Sequence, residues 1–176
     1  MGRRWIVLNI LLFQLGWFGA VYGAANQMPW LGIVVIVPIL LWHLARAQHW
    51  HLELKLMLLL GAVGCVLDQT LLSLHLLSFP ASDWPAHLLP AWMVALWLLF
   101  ATTLNVSMRW IKGHYLIGLV FGAVGGVLAY LGGEKLGGIT LHSSWTLLAI
   151  GVNWAMAMPL AIYFSIRFDG CAGSKT

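Results

Sequence analysis

The sequence predicts an all-α membrane protein, a bundle of six transmembrane helices that forms a single polytopic domain over residues 1–176. Of the 176 residues, 61% are apolar and 8% are charged, whereas ordinary soluble domains carry about 25% charged residues. The mean hydropathy is +0.90, and several apolar runs are roughly 20 residues long, enough to cross a hydrocarbon core of about 30 Å. So few charges cannot cover a water-facing surface. The composition therefore excludes a water-soluble protein.

Charged residues or clusters of Pro, Gly, Ser and Asp divide the chain into six apolar runs, and each run predicts one helix. The first run follows a basic start that resembles a secretory signal, but it is longer than a signal core, so we interpret it as a signal anchor. Pro38 and Pro159 lie inside the second and sixth runs, where each removes a backbone hydrogen bond and is expected to bend its helix. The predicted spans are 5–25, 29–45, 56–77, 91–108, 115–131 and 145–166.

The basic residues predict the orientation of the spans. The net charge of +4 would suggest a nucleic-acid partner in a soluble protein, but here Lys and Arg lie in short loops between spans, where they set topology. Lys135 alone falls on one side, and the other eight fall on the opposite side. We therefore expect a bacterial inner-membrane protein with both termini in the cytoplasm and no nucleic-acid partner. The eight are Arg3, Arg4, Arg46, Lys55, Arg109, Lys112, Arg167 and Lys175.

Small residues predict where helices approach closely. Gly118, Gly122 and Gly126 stand four apart in the fifth run, and Gly125 with Ala129 widens the same face, which is typical of close packing between membrane helices. Packing within one chain is the favoured interpretation over oligomerisation or access for a substrate. Trp97 and Trp154 lie too far from the run ends for an interfacial belt, so we expect them to fill the bundle interior or to face lipid.

Asp68 is the clearest candidate for chemistry because an ionisable group within a span is costly and marks a functional site by default. His75 would share its helix face two turns later, so the two could form a proton-handling pair, and Gln69 extends the polar patch. The competing interpretation, which we slightly favour, is a buried carboxyl satisfied by Asn153, Thr102 or a backbone carbonyl.

The histidines do not predict a metal site. His75, His87 and His142 lie on the outer side with Glu134 and Asp83, but no tight ligand spacing links them. On the inner side, His49, His51 and Glu53 alternate, which favours a solvated loop that contacts headgroups. Cys65 and Cys171 lack disulfide or metal-ligand spacing. We therefore expect no metal and no cofactor.

Glycines surround Glu134 and Lys135, which predicts an outer loop or a partly re-entrant one.

The stretch from residue 90 to 138 contains a pattern of aromatic, threonine and glycine residues. It comprises Pro90-Ala91-Trp92-Met93, Leu96-Trp97-Leu98-Leu99-Phe100-Ala101-Thr102-Thr103-Leu104-Asn105, Trp110, Gly122-Ala123-Val124-Gly125-Gly126, Ala129-Tyr130 and Lys135-Leu136-Gly137. This pattern resembles the bacterial membrane family defined by domain of unknown function 2878, over nearly the whole chain. The resemblance implies an inner-membrane protein often encoded near enzymes that modify fatty acyl chains. It assigns no catalytic residue, but it directs attention to Trp97, Asn105, Tyr130, Glu134 and Lys135.

Three hypotheses for the function remain open. The first is a protein that binds or modifies membrane lipid or fatty acyl chains from within the bilayer. The second is a small proton-coupled permease in which Asp68 carries the proton, and the third is a non-catalytic membrane scaffold. Membrane lipids are the expected partner, and whether the protein is an enzyme and its oligomeric state stay open. The candidate catalytic residues are Asp68, His75 and Glu134, and the candidate substrate-binding residues are Gln69, Trp97, Asn105, Tyr130, Lys135 and Asn153.

Overall fold

The described part of the chain forms six α-helices, as the six apolar runs predict. The computed structural model describes residues 2–80 and 84–172. A two-stranded antiparallel pair joins two of the loops, with Leu77 opposite Leu141 and Ser78 opposite Thr140. The helices are α1 (Arg3–Ala25), α2 (Trp30–Arg46), α3 (Trp50–Ser73), α4 (Ala91–Leu104), α5 (Tyr115–Lys135) and α6 (Ser144–Arg167); the strands are β1 (Leu77–Ser78) and β2 (Thr140–Leu141), and a 3-10 turn spans Arg109–Ile111.

Four of these helices, α1, α3, α5 and α6, are long and apolar enough to cross a membrane. The other two are apolar but shorter, with 17 residues in α2 and 14 in α4. At 1.5 Å per residue they are about 25 and 21 Å long. The four long apolar helices indicate a membrane protein.

Two helix boundaries differ from the predicted ones at places where polar side chains are buried and hydrogen-bonded. α3 begins at Trp50 rather than at residue 56, because Glu53 in its first turn is fully buried rather than solvated. α4 ends at Leu104 rather than at residue 108. Its last turn contains Thr102 and Thr103, whose hydroxyls hydrogen-bond to carbonyls three residues earlier.

The expected loop around Glu134 and Lys135 is wrong. Both residues lie in the last turn of α5, which continues four residues beyond the predicted boundary at residue 131. No re-entrant segment occurs here.

α4 is the central helix of the bundle. It packs against α1, α2, α3 and α6, whereas α5 packs mainly against α6. Leu99 and Ala101 of α4 are fully buried. The irregular segment after α4 is buried at its start, where Asn105 and Val106 are no more than 1% exposed, which is the condition under which non-helical backbone is tolerated at membrane depth. Residues 84–88 before α4 are exposed.

Both ends of the described chain lie at one end of the bundle, which we call the terminal end. The Asn9 side chain accepts a 2.6 Å hydrogen bond from Ser107 after α4, and the His49 N–H before α3 donates to the Gly170 carbonyl after α6. The opposite end, which contains β1 and β2, we call the hairpin end. The basic residues predicted to share one side are at the terminal end, except Lys175, which with Asp83 lies outside the described residues.

Candidate functional site

Asp68 lies at the centre of a largely buried cluster that joins four helices. Its side chain is 2% exposed. The indole N–H of Trp97 on α4 donates to Asp68 Oδ2 at 2.7 Å, and the Tyr130 hydroxyl on α5 donates to Asp68 Oδ1. Trp154 on α6 stacks on Trp97 with ring centroids 4.6 Å apart. We call these four residues the Asp68 cluster.

Two glycines make room for the indole rings of Trp97 and Trp154. Each glycine lies about one helical turn before a polar residue of the Asp68 cluster. A Cβ on Gly64 would fall within the Trp97 ring, and a Cβ on Gly126 would fall within the Trp154 ring. Gly64 precedes Asp68 by four residues and Gly126 precedes Tyr130 by four, so each pair shares one helix face. The glycine face predicted on α5 is therefore confirmed as a packing surface for α6. Trp97 is buried in the bundle interior, whereas Trp154 is only partly buried.

An apolar crevice lies between α1 and α5, with α4 and α6 as its floor. It consists of a cavity of about 300 Å³ and a narrower one of about 80 Å³. The two are neighbouring because both are lined by Phe13, Phe100, Ala129 and Trp154. Trp97 and Tyr130 line the narrower part, so the Asp68 cluster forms its inner wall.

The crevice opens to the side of the bundle. Ile10 and Phe121 on its rim are each 46% exposed, whereas Thr103 and Met158 on its floor are buried. At the hairpin end the two walls meet, because a Cβ on Gly132 would lie 3.3 Å from the Trp17 ring. The wider part is therefore the accessible one.

A second buried polar cluster is centred on Glu53 at the terminal end. His43 Nε2 at the end of α2 lies 2.8 Å from Glu53 Oε2. Glu53 Oε1 accepts hydrogen bonds from Asn105 Nδ2 at 2.6 Å and from the Gly170 N–H at 2.8 Å. Asn105 Nδ2 also donates to the Phe168 carbonyl at 2.9 Å. The side chains of His43, Glu53 and Asn105 are no more than 2% exposed.

Charged groups fasten the segment after α6 to this cluster. Arg109 and Lys112 both pair with the Asp169 carboxylate, Lys112 at 2.7 Å, and Lys112 also donates to Asn105 Oδ1. Burial lowers the pKa of Lys112, while the Asp169 carboxylate opposes that shift. Burial raises the pKa of the Cys171 thiol, and the Glu53 carboxylate adds to that rise. We call His43, Glu53, Asn105, Arg109, Lys112, Asp169 and Cys171 the Glu53 cluster.

The structure brings three of the predicted candidates together, namely Asp68, Trp97 and Tyr130. The expected pairing of Asp68 with His75 is not found, because α3 ends at Ser73 and His75 lies in the following loop, exposed and at φ +54°. Asn153 and Thr102, the other expected partners, do not bind Asp68 either; Thr102 donates to the Leu99 carbonyl.

The remaining candidates lie elsewhere. Asn105 belongs to the Glu53 cluster. Gln69 holds the segment before α4, since its amide donates to the His87 carbonyl at 2.9 Å and accepts from the Leu89 N–H. Glu134 accepts from the Leu141 N–H of β2, and Lys135 is exposed.

The Glu53 cluster was missed from the sequence, where Glu53 was assigned to a solvated loop. A signal was present. Apolar residues recur at helical spacing before His43 and after Glu53, so both polar residues continue a buried stripe rather than an exposed one. The stripes are Ile36, Ile39, Leu40 and His43 on α2, and Glu53, Leu56, Met57 and Leu60 on α3.

The chain matches the model of a known protein family. The model of the family described as "Protein of unknown function (DUF2878)" matches residues 6–160. No curated protein and no solved structure matches the chain.

Proposed function

The chain belongs to the DUF2878 family, and because that family has no known function we propose one from the geometry of this chain. We propose that the protein spans the membrane six times and binds an acyl chain of a membrane lipid in the crevice between α1 and α5. The observation that carries the proposal is the sideways opening of this crevice among apolar, exposed side chains.

Lipid is the occupant that the surroundings of the crevice favour. The exposed faces beside its mouth are apolar on both helices, with Leu11 at 60% and Val124 at 56% exposure. Such faces are solvated by acyl chains in a bilayer, so an acyl chain is the molecule already present at the mouth. A cavity of about 300 Å³ is at the lower end of the range for small-molecule sites, roughly 300 to 1,000 Å³.

Gln14 gives the crevice a polar contact. It lies on the rim, and no hydrogen bond joins its amide to another described residue. At 1.5 Å per residue it is about 17 Å from the start of α1. An unpaired amide at that depth is costly, and an ester carbonyl or a hydroxyl group of a bound lipid would satisfy it.

The proposed topology has six spans, although only four helices are long enough by themselves to cross a membrane. α2 and α4 are shorter than the membrane is thick, but both pack against other helices of the bundle. The positive residues at the terminal end favour that end for the cytoplasm. We therefore place both termini in the cytoplasm of a bacterium, with the whole chain as one domain in the inner membrane.

The Asp68 cluster supports the lipid-binding proposal over a proton-coupled permease. Both oxygens of Asp68 are engaged by donors from two other helices, which suits a rigid wall of a binding crevice. A carrier would need that carboxyl to exchange partners during transport.

Cross-linking to a photoactivatable fatty acid tests the proposal. Cells are grown with a diazirine-bearing fatty acid, the full chain is irradiated in membranes, and the labelled peptides are mapped. Label is expected on α1 and α5 around Phe13, Gln14 and Ala129. Label spread evenly over all lipid-facing helices would contradict the proposal.

Gly125 offers a matched pair of variants for the same experiment. A Cβ there would meet only Phe121, at 3.9 Å, so larger side chains enter the crevice without displacing backbone. Gly125→Leu is expected to reduce labelling by about tenfold, which corresponds to 1.4 kcal/mol of lost affinity. Gly125→Ala raises helix propensity but leaves most of the crevice open, so its labelling should match wild type.

A further inference from the structure

We propose that His43, Glu53 and Cys171 form a binding site for a divalent transition-metal ion of the zinc type. The sequence led us to expect no metal, because the cysteines carry no metal-ligand spacing and Glu53 is predicted to lie in a solvated loop. The fold brings them together from the end of α2, the first turn of α3 and the segment after α6. This proposal is independent of lipid binding, because none of the three residues lines the crevice.

The positions of the ligand atoms fit a small ion. One imidazole nitrogen, one carboxylate oxygen and the Cys171 sulfur lie within 4.8 Å of one another. A tetrahedral zinc ion with bonds of about 2.0 to 2.3 Å holds its ligand atoms roughly 3.3 to 3.8 Å apart. Small side-chain rotations that move the ligand atoms by about 1 Å would therefore let all three bind one ion.

The ligand types favour zinc over magnesium or calcium. Mixed nitrogen, oxygen and sulfur ligands are typical of Zn²⁺, whereas Mg²⁺ and Ca²⁺ take oxygen ligands. Three protein ligands are the number found in zinc sites that keep a fourth position for water or another small ligand.

Hydrogen bonds orient the Glu53 carboxylate through Oε1, the oxygen that would not bind the ion. Oε1 accepts from Asn105 Nδ2 and the Gly170 N–H, leaving Oε2 for the ion. Such outer hydrogen bonds orient the ligating side chain. Gly170 is required for this approach, because a Cβ there would lie 2.5 Å from the His49 carbonyl oxygen and 2.8 Å from Glu53 Cγ.

The segment that carries Cys171 is held in place by contacts that do not involve an ion. Asp169 pairs with Arg109 and Lys112, and its carboxylate accepts from the Cys171 N–H at 3.1 Å. This anchoring fixes the backbone of Cys171 beside Glu53. On binding, the Cys171 thiol proton and any proton on His43 Nε2 leave to solvent, and the thiolate and carboxylate together neutralise the two charges of the ion.

Metal loading of the purified full chain tests the site. Protein in detergent micelles is stripped with a chelator, reloaded with Zn²⁺ and desalted, and its metal content is measured by mass spectrometry. We expect one zinc ion per chain. Reloading with Co²⁺ should produce the near-ultraviolet charge-transfer band of a cobalt–thiolate bond.

The two cysteines provide matched variants. Cys171→Ser should lose the charge-transfer band and bind zinc at least about tenfold more weakly, since even outer-shell changes cost 10- to 100-fold. Cys65→Ser, which alters a cysteine of α3 outside the cluster, should keep both properties. Absence of the band from wild type, or its loss in Cys65→Ser alone, would overturn the proposal.

A third variant covers the case in which Cys171→Ser does not fold, as judged by gel filtration and circular dichroism. His43→Gln keeps the thiolate, so it should retain a cobalt–thiolate band at saturating Co²⁺ while its zinc affinity falls. Zinc affinity equal to that of wild type would also contradict the site.

Discussion

The Asp68 cluster and the Glu53 cluster both bury a carboxyl group in an apolar bundle, but they satisfy it with different chemistry. Asp68 takes its hydrogen bonds from an indole and a phenol. Glu53 takes its bonds from a histidine, an amide and a backbone N–H. An Asp169 ion-pair network with Arg109 and Lys112 adjoins it.

The difference follows from position along the helices. Asp68 lies within α3, where the backbone N–H groups of the surrounding helices are used by the helices themselves, so its donors must be side chains. The Glu53 cluster lies where helices end, and there free backbone N–H groups and basic side chains from loops are within reach. The mid-bundle site is therefore aromatic, and the site at the terminal end is ionic.

The largest expected effect comes from breaking the ionic cluster. Glu53→Ala removes the acceptor of His43 and of the Gly170 N–H, and it removes one of the two acceptors of the Asn105 amide. Removing one partner from a buried charge network typically costs about 3 to 5 kcal/mol of unfolding free energy. The measurement is unfolding in mixed micelles with a chelator present, so that no metal contributes.

The control for that loss is Glu134→Ala. Glu134 is partly exposed and accepts one backbone hydrogen bond, so its removal should cost only about 1 kcal/mol. Equal losses for the two variants would show that the Glu53 cluster is no more stabilising than a single peripheral bond.

A smaller effect is expected from Gly64→Ala, which tests the aromatic cluster without touching its polar atoms. The added methyl group would overlap the Trp97 ring, and overpacking of this kind costs about 1 to 3 kcal/mol. The displaced indole should also change the tryptophan fluorescence spectrum. Gly125→Ala would meet only Phe121, at an ordinary contact distance of 3.9 Å, so it should not lower the stability and should leave the spectrum unchanged.

The smallest expected effect comes from Asp68→Asn. The amide oxygen can still accept from Trp97, and the Tyr130 hydroxyl can rotate to accept from the amide nitrogen, so the loss should be about 1 kcal/mol. Asp68→Leu, the matched control, leaves both donors unpaired and should cost about 2 to 3 kcal/mol in total, because each unsatisfied neutral donor costs at least about 1 kcal/mol. Were Asp68→Asn as damaging as Asp68→Leu, the carboxylate charge itself would be essential to the cluster.

The helices could be predicted from the sequence more reliably than their ends. All six appear, because long apolar runs between charged breaks have no other stable form in lipid. The start of α3 was predicted six residues late, since hydropathy treats Glu53 as a loop residue. Hydropathy does not show that His43, ten residues earlier, is a hydrogen-bond partner of Glu53.

For the sites, local pattern identified single residues but not their partners. Asp68 stood out as a carboxyl within an apolar run. Glycine spacing identified the face of α5 against which Trp154 of α6 packs. The pairing of Asp68 with Trp97 and Tyr130 depends on which helices are neighbours, and that is absent from any one segment. Asp169 was not singled out, and Cys171 was interpreted as lacking metal-ligand spacing, because the role of both depends on the return of the chain to the terminal end.

The sequence by itself determined that this chain has six apolar helices, that its basic residues alternate between connections, and that α5 has a face for close packing. Each of these is a local property, expressed within about 20 residues. Only the tertiary structure decided that α4 is central, that a crevice separates α1 from α5, and that His43, Glu53 and Cys171 meet. Contacts between distant segments depend on how whole helices pack. The residue pattern of one helix shows which face is buried, but it does not show which helix covers that face.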